Sequence, residues 1–298
     1  MYLKIHVSIP LFYVMIRTIG LAIAFSPTAE RMLAEAIYFA SQFQARLVLI
    51  HIGDHGPKEE QLIQSMLKSK GLSNKTVTVR WDKGEAAKAI LRACDLEKVD
   101  LLIAGALKKE DLLHFYLGTI ARHIMRRSKC SVLLLTQPAL VPGAFKNIVV
   151  DAEDSPHVEE SISLACNFGK KTKNAWIHVV RELKLYGLAM SASDQCSEDE
   201  YEKIRQGLVK DELENVEKLL QKIPHENLKI NIKVVSGKSG FELAQFALRK
   251  QADLLVVGAP PRRFRFFDRV FTHDLEYVFA DLPCNLLIVQ PGKEGQRG

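Results

Sequence analysis

The sequence predicts an α/β fold of two tandem, doubly wound, five-stranded parallel-sheet domains. Three observations predict it. "VDLLIAGA" at 99–106 recurs as "ADLLVVGA" at 252–259, an offset of 153, so the chain is written twice. Short continuous apolar runs alternate with helical patterns, the rhythm of a parallel sheet covered on both faces. A Pro-Gly stretch, "TQPALVPGAFK" (136–146), separates the copies.

Taken in order, the first copy offers strands "IGLAIAF", "RLVLIHI", "TVTVRW", "DLLIAG" and "SVLLLT", with helical patterns such as "TAERMLAEAIYFASQF" and "GEAAKAILRACDLEK" between them. The second offers "NIVVD", "AWIHVV", "KINIKVV", "DLLVVG" and "NLLIVQ". "LVLIHI" (47–52) matches "NAWIHV" (174–179) at an offset of 127, so His178 is expected to repeat His51. The step from 127 to 153 implies 26 extra residues in the second copy. "EDEYEKIRQGLVKDELENVEKLLQKI" (198–223) accounts for them: Tyr201, Ile204, Leu208, Val216, Leu219, Leu220 and Ile223 fall near one helical face, Ser197 offers an N-cap and Pro224 a stop. The domains are therefore expected at 15–138 and 144–291, the second with a helical insertion at about 181–224.

Composition bounds the function. Of 298 residues 47% are apolar and 26% charged, as in a globular domain. Residues 1–138 hold 19 Lys+Arg against 12 Asp+Glu, a net of +7, and the remainder 22 against 23. That excess is too small and too dispersed to signal nucleic acid, and leaves small anions as the class of partner it favours. Five widely spaced cysteines without a C-x-x-C pair argue against a disulfide framework or zinc site and suit a reducing cytoplasm. At the N-terminus, Arg17 breaks an apolar run before it reaches the roughly 18 residues a membrane span needs. Residues 1–14 read as an irregular extension ahead of Met15, and no membrane association is expected.

In an open parallel sheet, ligands bind beyond the carboxyl ends of the strands, where the strand order reverses. Glycine there lets main chain approach an anion, and a following helix N-terminus supplies N–H groups and a favourable dipole. "GALKKEDLLHFYLGT" (105–119) has this layout: a strand, Gly105, a loop, then Gly118 and Thr119 opening "IARHIMRR". Thr119 either caps that helix or bonds a phosphate oxygen.

With those residues in view, the tandem layout resembles the universal stress protein family over residues 17–291. The resemblance implies the adenine nucleotide alpha hydrolase-like fold, ATP or AMP as ligand, and a regulatory stress-response role without catalysis. It implies pairing of the two copies through their last strands within the chain, an unidentified protein partner, and room for a further homodimer. The nucleotide-binding pattern G-x2-G-x9-G-(S/T), with an Asp ending the first strand, is degraded in both copies. In the first, Gly105, Gly118 and Thr119 match, Lys108 replaces a glycine, and Phe25 stands at the Asp position, where it would stack or fill the pocket. Lys108 brings an ammonium suited to phosphate. In the second, Asp151, Gly258 and Thr272 match, but Pro261, without an N–H, and bulky Phe271 replace glycines. The first copy is thus the expected nucleotide site, through Gly105, Lys108, Gly118 and Thr119; the second is a degenerate one. The alternative is a nucleotide-independent scaffold with both pockets closed.

Other motifs carry less. "VSGKSG" (235–240) ends like a P-loop but has Ile232 where a Walker glycine belongs. "RRFRFF" (262–267) with Arg269 reads as a solvated loop with buried phenylalanines. His51, Asp54 and His55 lie close in sequence, yet a hydrogen-bonded strand-end histidine explains His51 better than a metal. Cys130 and Cys284 occupy repeated positions as small buried residues. No catalytic set and no metal ligand set is recognisable.

Overall fold

A computed structural model describes residues 15–73, 76–108, 115–153, 155, 157–183, 198–237, 240–260 and 273–290. Its strands are β1 (Thr18–Ala22), β2 (Arg46–Ile52), β3 (Thr78–Asp82), β4 (Leu101–Gly105), β5 (Leu107–Lys108), β6 (Phe115–Tyr116), β7 (Ser131–Leu135), β8 (Asn147–Asp151), β9 (Trp176–Leu183), β10 (Lys229–Ser236), β11 (Leu254–Gly258) and β12 (Asn285–Val289). Its helices are α1 (Ala29–Phe43), α2 (Pro57–Ser69), α3 (Ala86–Glu97), α4 (Thr119–Arg127), α5 (Val158–Gly169), α6 (Glu198–Leu220), α7 (Phe241–Arg249) and α8 (His273–Ala280).

Ten strands form one sheet in the order β10-β9-β8-β11-β12-β7-β4-β1-β2-β3, and β5 and β6 form a separate two-stranded ribbon. Every neighbouring pair within a half is parallel. Each half therefore runs 3-2-1-4-5, with its order reversing between first and fourth strands. The helices cover both faces. Apolar residues of α1, α2, α5 and α6 pack on one face, and those of α3, α4, α7 and α8 on the other. The strands must be apolar on both sides to fit between these layers, which is why they read as continuous runs. No described helix is long and apolar enough to cross a membrane.

The halves join through β7 and β12, which pair antiparallel with Leu133 opposite Leu287. The contact is reciprocal about a pseudo-two-fold axis. Gln290 N donates to Ser131 Oγ at 3.1 Å, and Thr136 N donates to Asn285 Oδ1 at 2.9 Å. The linker is packed rather than slack. Ala139 N donates to the buried carboxylate of Glu35 at 2.9 Å. Phe145 joins Phe39 and Phe168 at ring separations of 5.4 and 5.8 Å, a cluster drawn from both halves.

The aspartate of each repeated D-L-L run has a structural use. Asp100 Oδ2 accepts Arg17 N and Thr18 N, both at 3.0 Å; Asp253 Oδ2 accepts Lys146 N and Asn147 N at 2.7 and 2.8 Å. Each clamps the start of its half's first strand by satisfying N–H groups beyond the ladder.

Strand register corrects the alignment of the copies. Ile19 pairs with Leu47 and Leu101; Ile148 pairs with Ile177 and Leu254. Leu101 to Leu254 is the offset of 153, so Ile19 and Ile148 are equivalent, and Leu47 to Ile177 makes the second-strand offset 130, not 127. The extra residues number 153 − 130 = 23 and lie between β9 and β10. Two strands of interchangeable apolar residues, each with one histidine, allow a three-residue slip on paper that hydrogen bonding does not. The inserted helix is α6. Its Val216 and Leu220, and Ile223 beyond it, are buried, whereas Ile204 is exposed, so only the C-terminal part of the apolar stripe is seated in the core. The N-cap expected at Ser197 lies outside the described residues.

Candidate functional site

The order reversal in the first half lies between β1 and β4, and Gly105 is the last residue of β4. A Cβ built on Gly105 would lie 3.7 Å from Met32 Sδ, an ordinary contact. Neither crowding nor a positive φ requires glycine there, so the bare main chain is a property of the site and not of packing. Gly118 is the N-cap of α4 at φ −69° and ψ 167°, extended backbone open to any residue. Thr119 is therefore the first helical residue and not the cap, and no side-chain cap bond forms at this end. Both Thr119 and Lys108 are exposed.

What glycine provides at 118 is room for a neighbour. A Cβ there would meet Leu107 Cδ1 at 2.5 Å. Leu107 thus lies across the N-cap of α4 while remaining 50% exposed, so displacing it from there costs little buried area. Alternation along β5 places Lys108 on the face opposite Leu107, away from Gly118. The structure brings Leu107, Gly118 and Thr119 together, with Gly105 at the end of β4 two residues before Leu107, and sets Lys108 on the other face of β5. Leu107, the residue that lies over Gly118, carries no signal in the sequence.

Register also moves the partner of this loop. Asp151 ends β8 three residues after Ile148, and the residue three after Ile19 is Ala22, not Phe25. The first half has a methyl group where the second has a carboxylate. Phe25 lies beyond β1, 39% exposed, with its ring 4.5 Å from that of His51. His51 is buried with Nδ1 3.0 Å from the Ile23 carbonyl, a strand-end hydrogen bond. Among the described residues no group of three His, Cys, Asp or Glu could hold a metal ion.

In the second half the equivalent of His51 is Arg181, not His178, since the second strands are offset by 130. Arg181 does what His51 does: its guanidinium donates to the Ala152 carbonyl at 2.5 Å. It also pairs with Glu212 of α6 at 2.8 Å, tying the inserted helix to the end of β9. Asp151 is buried beside it and accepts Glu153 N at 3.0 Å. Burial, with Glu153 and Glu182 adding repulsion, pushes the Asp151 carboxyl up to about 7, against the pull of the Glu153 amide and Arg181. A Cβ on Gly258 would meet Ser161 Oγ at 3.1 Å, so this glycine is held by packing. Thr272, Pro261, Phe271 and the arginine-phenylalanine run lie outside the described residues. Of the residues expected at a second site, Asp151 is buried near Glu153, Glu182 and Arg181, and Gly258 packs against Ser161.

The P-loop-like stretch is answered by Glu182. Its carboxylate accepts Gly240 N at 2.9 and 3.0 Å and Leu243 N at 3.3 Å. The N-terminus of α7 is thereby capped by an internal anion.

Residues 57–136 match the model of the universal stress protein family. No curated protein matches the chain. Among solved structures, a universal stress protein from Archaeoglobus fulgidus is similar at 13% identity and a TM-score of 0.66, covering 92% of this chain and 98% of its own. One from Pseudomonas aeruginosa is similar at 17% identity and a TM-score of 0.65, covering 93% and 94%. A functionally unknown protein from Pseudomonas aeruginosa PAO1 shares 16% identity at a TM-score of 0.63, covering 93% of each. At these identities the likeness is one of fold.

Proposed function

Within the universal stress protein family, to which its residues 57–136 assign the chain, we propose a stress-response regulatory protein that binds an adenine nucleotide, ATP or AMP, weakly in its first half and does no chemistry on it. One observation carries the reading: bare main chain at Gly105 and at the α4 N-cap lies on the carboxyl side of β4, where the sheet order reverses. Phosphate oxygens are received by N–H groups of the first α4 turn, with the Thr119 hydroxyl beside them, and Lys108 adds charge at the rim.

Two features keep the affinity low. Leu107 must leave Gly118 before an anion can enter, so apparent affinity falls by the fraction of molecules in which it has done so. Ala22 offers no hydrogen bond to a ribose or base. The second half is set against phosphate by Asp151 and its neighbours Glu153 and Glu182. The nucleotide then acts as a signal that tunes binding of a protein partner. The four described cysteines are free thiols, which suits a reducing cytoplasm.

The scaffold reading is favoured by that same Leu107, which lies over the N-cap of α4. Calorimetric titration with ATP separates the two. Leu107→Ala should bind several-fold more tightly than the wild type, whereas a scaffold gives no heat in either protein at millimolar nucleotide.

A further inference from the structure

The β5–β6 ribbon touches more than its own half. Two residues per strand are too few to hold a hairpin unaided, so its order comes from what it rests on. From β5, Leu107 lies on Gly118 and pairs with Tyr116 of β6. On either side of Tyr116, two main-chain bonds cross to the second half: Leu282 N donates to Phe115 O at 2.9 Å, and Leu117 N donates to Phe279 O at 3.0 Å. The Phe279 carbonyl is one of the last four of α8, which has no acceptor role inside its own helix, so the first half supplies the missing donor.

Side chains lock the same corner. Arg122 Nε donates to Leu117 O at 3.0 Å, and its guanidinium pairs with Glu276 of α8 and lies over the Phe279 ring, 6.0 Å from its centroid. Arg126 approaches the other Glu276 oxygen at 3.6 Å. Leu117, Phe279 and Leu282 are all buried.

We propose that this ribbon is a mechanical link: whatever displaces Leu107 from Gly118 loosens the bonds of Phe115 and Leu117 to the second half. The inference rests on the nucleotide reading for its natural trigger, but not for its mechanics. Leu107 pairs with Tyr116, between Phe115 and Leu117, so a main-chain shift that carries Leu107 off Gly118 pulls on both bonds. Linkage makes the effect reciprocal. Weakening the grip on α8 frees Leu107 and tightens the anion site, and coupling of this kind ordinarily amounts to about fivefold or more in affinity.

The test uses the full chain and a displacement that needs no ligand. Gly118→Ala puts a Cβ 2.5 Å from the present position of Leu107 Cδ1, at backbone angles alanine adopts freely. Hydrogen–deuterium exchange at the Leu282 amide, in the other half, should then quicken about fivefold or more, while amides in β9 keep their protection. Unchanged exchange at Leu282 in a folded Gly118→Ala protein overturns the link. In the wild type, saturating ATP should quicken the same amide, and Glu276→Gln should bind ATP about fivefold more tightly. Bound ATP without either effect also overturns it. A quickened Leu282 in Gly118→Ala with no ATP heat at millimolar concentration sinks the nucleotide reading and leaves the link standing.

Discussion

Replacing Asp151 by asparagine should stabilise the protein at alkaline pH and do little at acid pH. Asp151 is 8% exposed, and burial raises its carboxyl from an ordinary 3.8 to about 7. The sign follows from proton counts. Below about pH 4 the carboxyl is protonated in folded and unfolded chains alike, so it contributes no pH dependence. Between pH 4 and 7 the folded chain keeps a proton that the unfolded chain releases, so stability falls as pH rises. Roughly three pK units at about 1.4 kcal/mol each give an upper bound of about 4 kcal/mol, fully expressed above pH 7. Asparagine fills the same space, keeps an acceptor for Glu153 N, and has no charge to bury. Urea denaturation of both proteins from pH 4 to 8 is the assay. Near pH 4 the two should lie within about 1 kcal/mol, and at pH 8 Asp151→Asn should be more stable by about 2–4 kcal/mol. Parallel curves would refute the argument. So would a wild type more stable at pH 8, since that would mean an ionised Asp151 held profitably by Arg181.

Other outcomes follow from single contacts. Phe168→Ala empties a site where rings of both halves meet, 5.0 Å from Phe43 and 5.6 Å from Phe39, and should cost about 3–5 kcal/mol in urea denaturation. Asp100→Ala and Asp253→Ala each strand two main-chain N–H groups at the start of a first strand and should each cost about 2 kcal/mol, additively because the sites are far apart in the sheet. Glu212→Ala removes the carboxylate 2.8 Å from the buried Arg181 guanidinium and should cost about 2–4 kcal/mol, with faster exchange in α6 read by hydrogen–deuterium exchange.

The fold was legible because its physics is local and periodic. Strands buried on both faces must be continuous apolar runs, and "VDLLIAGA" and "ADLLVVGA" announce the same layer twice. The layout around the end of β4 was legible because Gly105 and Gly118 lie in one segment. Register was not. Ile-His-Val and Ile-His-Ile look alike, and only pairing partners show that Arg181 rather than His178 stands where His51 does. The same slip placed Phe25 opposite Asp151, where Ala22 belongs. Thr119 was a cap candidate by residue type, but the helix begins one residue earlier than that role requires, with Gly118 as its cap. Leu107 over Gly118, and Phe115 and Leu117 against α8, are tertiary contacts that no spacing encodes.

Calorimetric titration of ATP and AMP into the wild-type protein and Gly105→Ala tests the central claim most directly. A Cβ at 105 meets Met32 at an ordinary 3.7 Å, so the variant should melt like the wild type and report on the site alone. The account predicts one weak nucleotide per chain in the wild type, with a dissociation constant in the high-micromolar to millimolar range. It predicts binding about tenfold weaker or worse in Gly105→Ala, the equivalent of roughly 1.4 kcal/mol. No heat from the wild type at millimolar nucleotide, or equal binding by the two proteins, would contradict it.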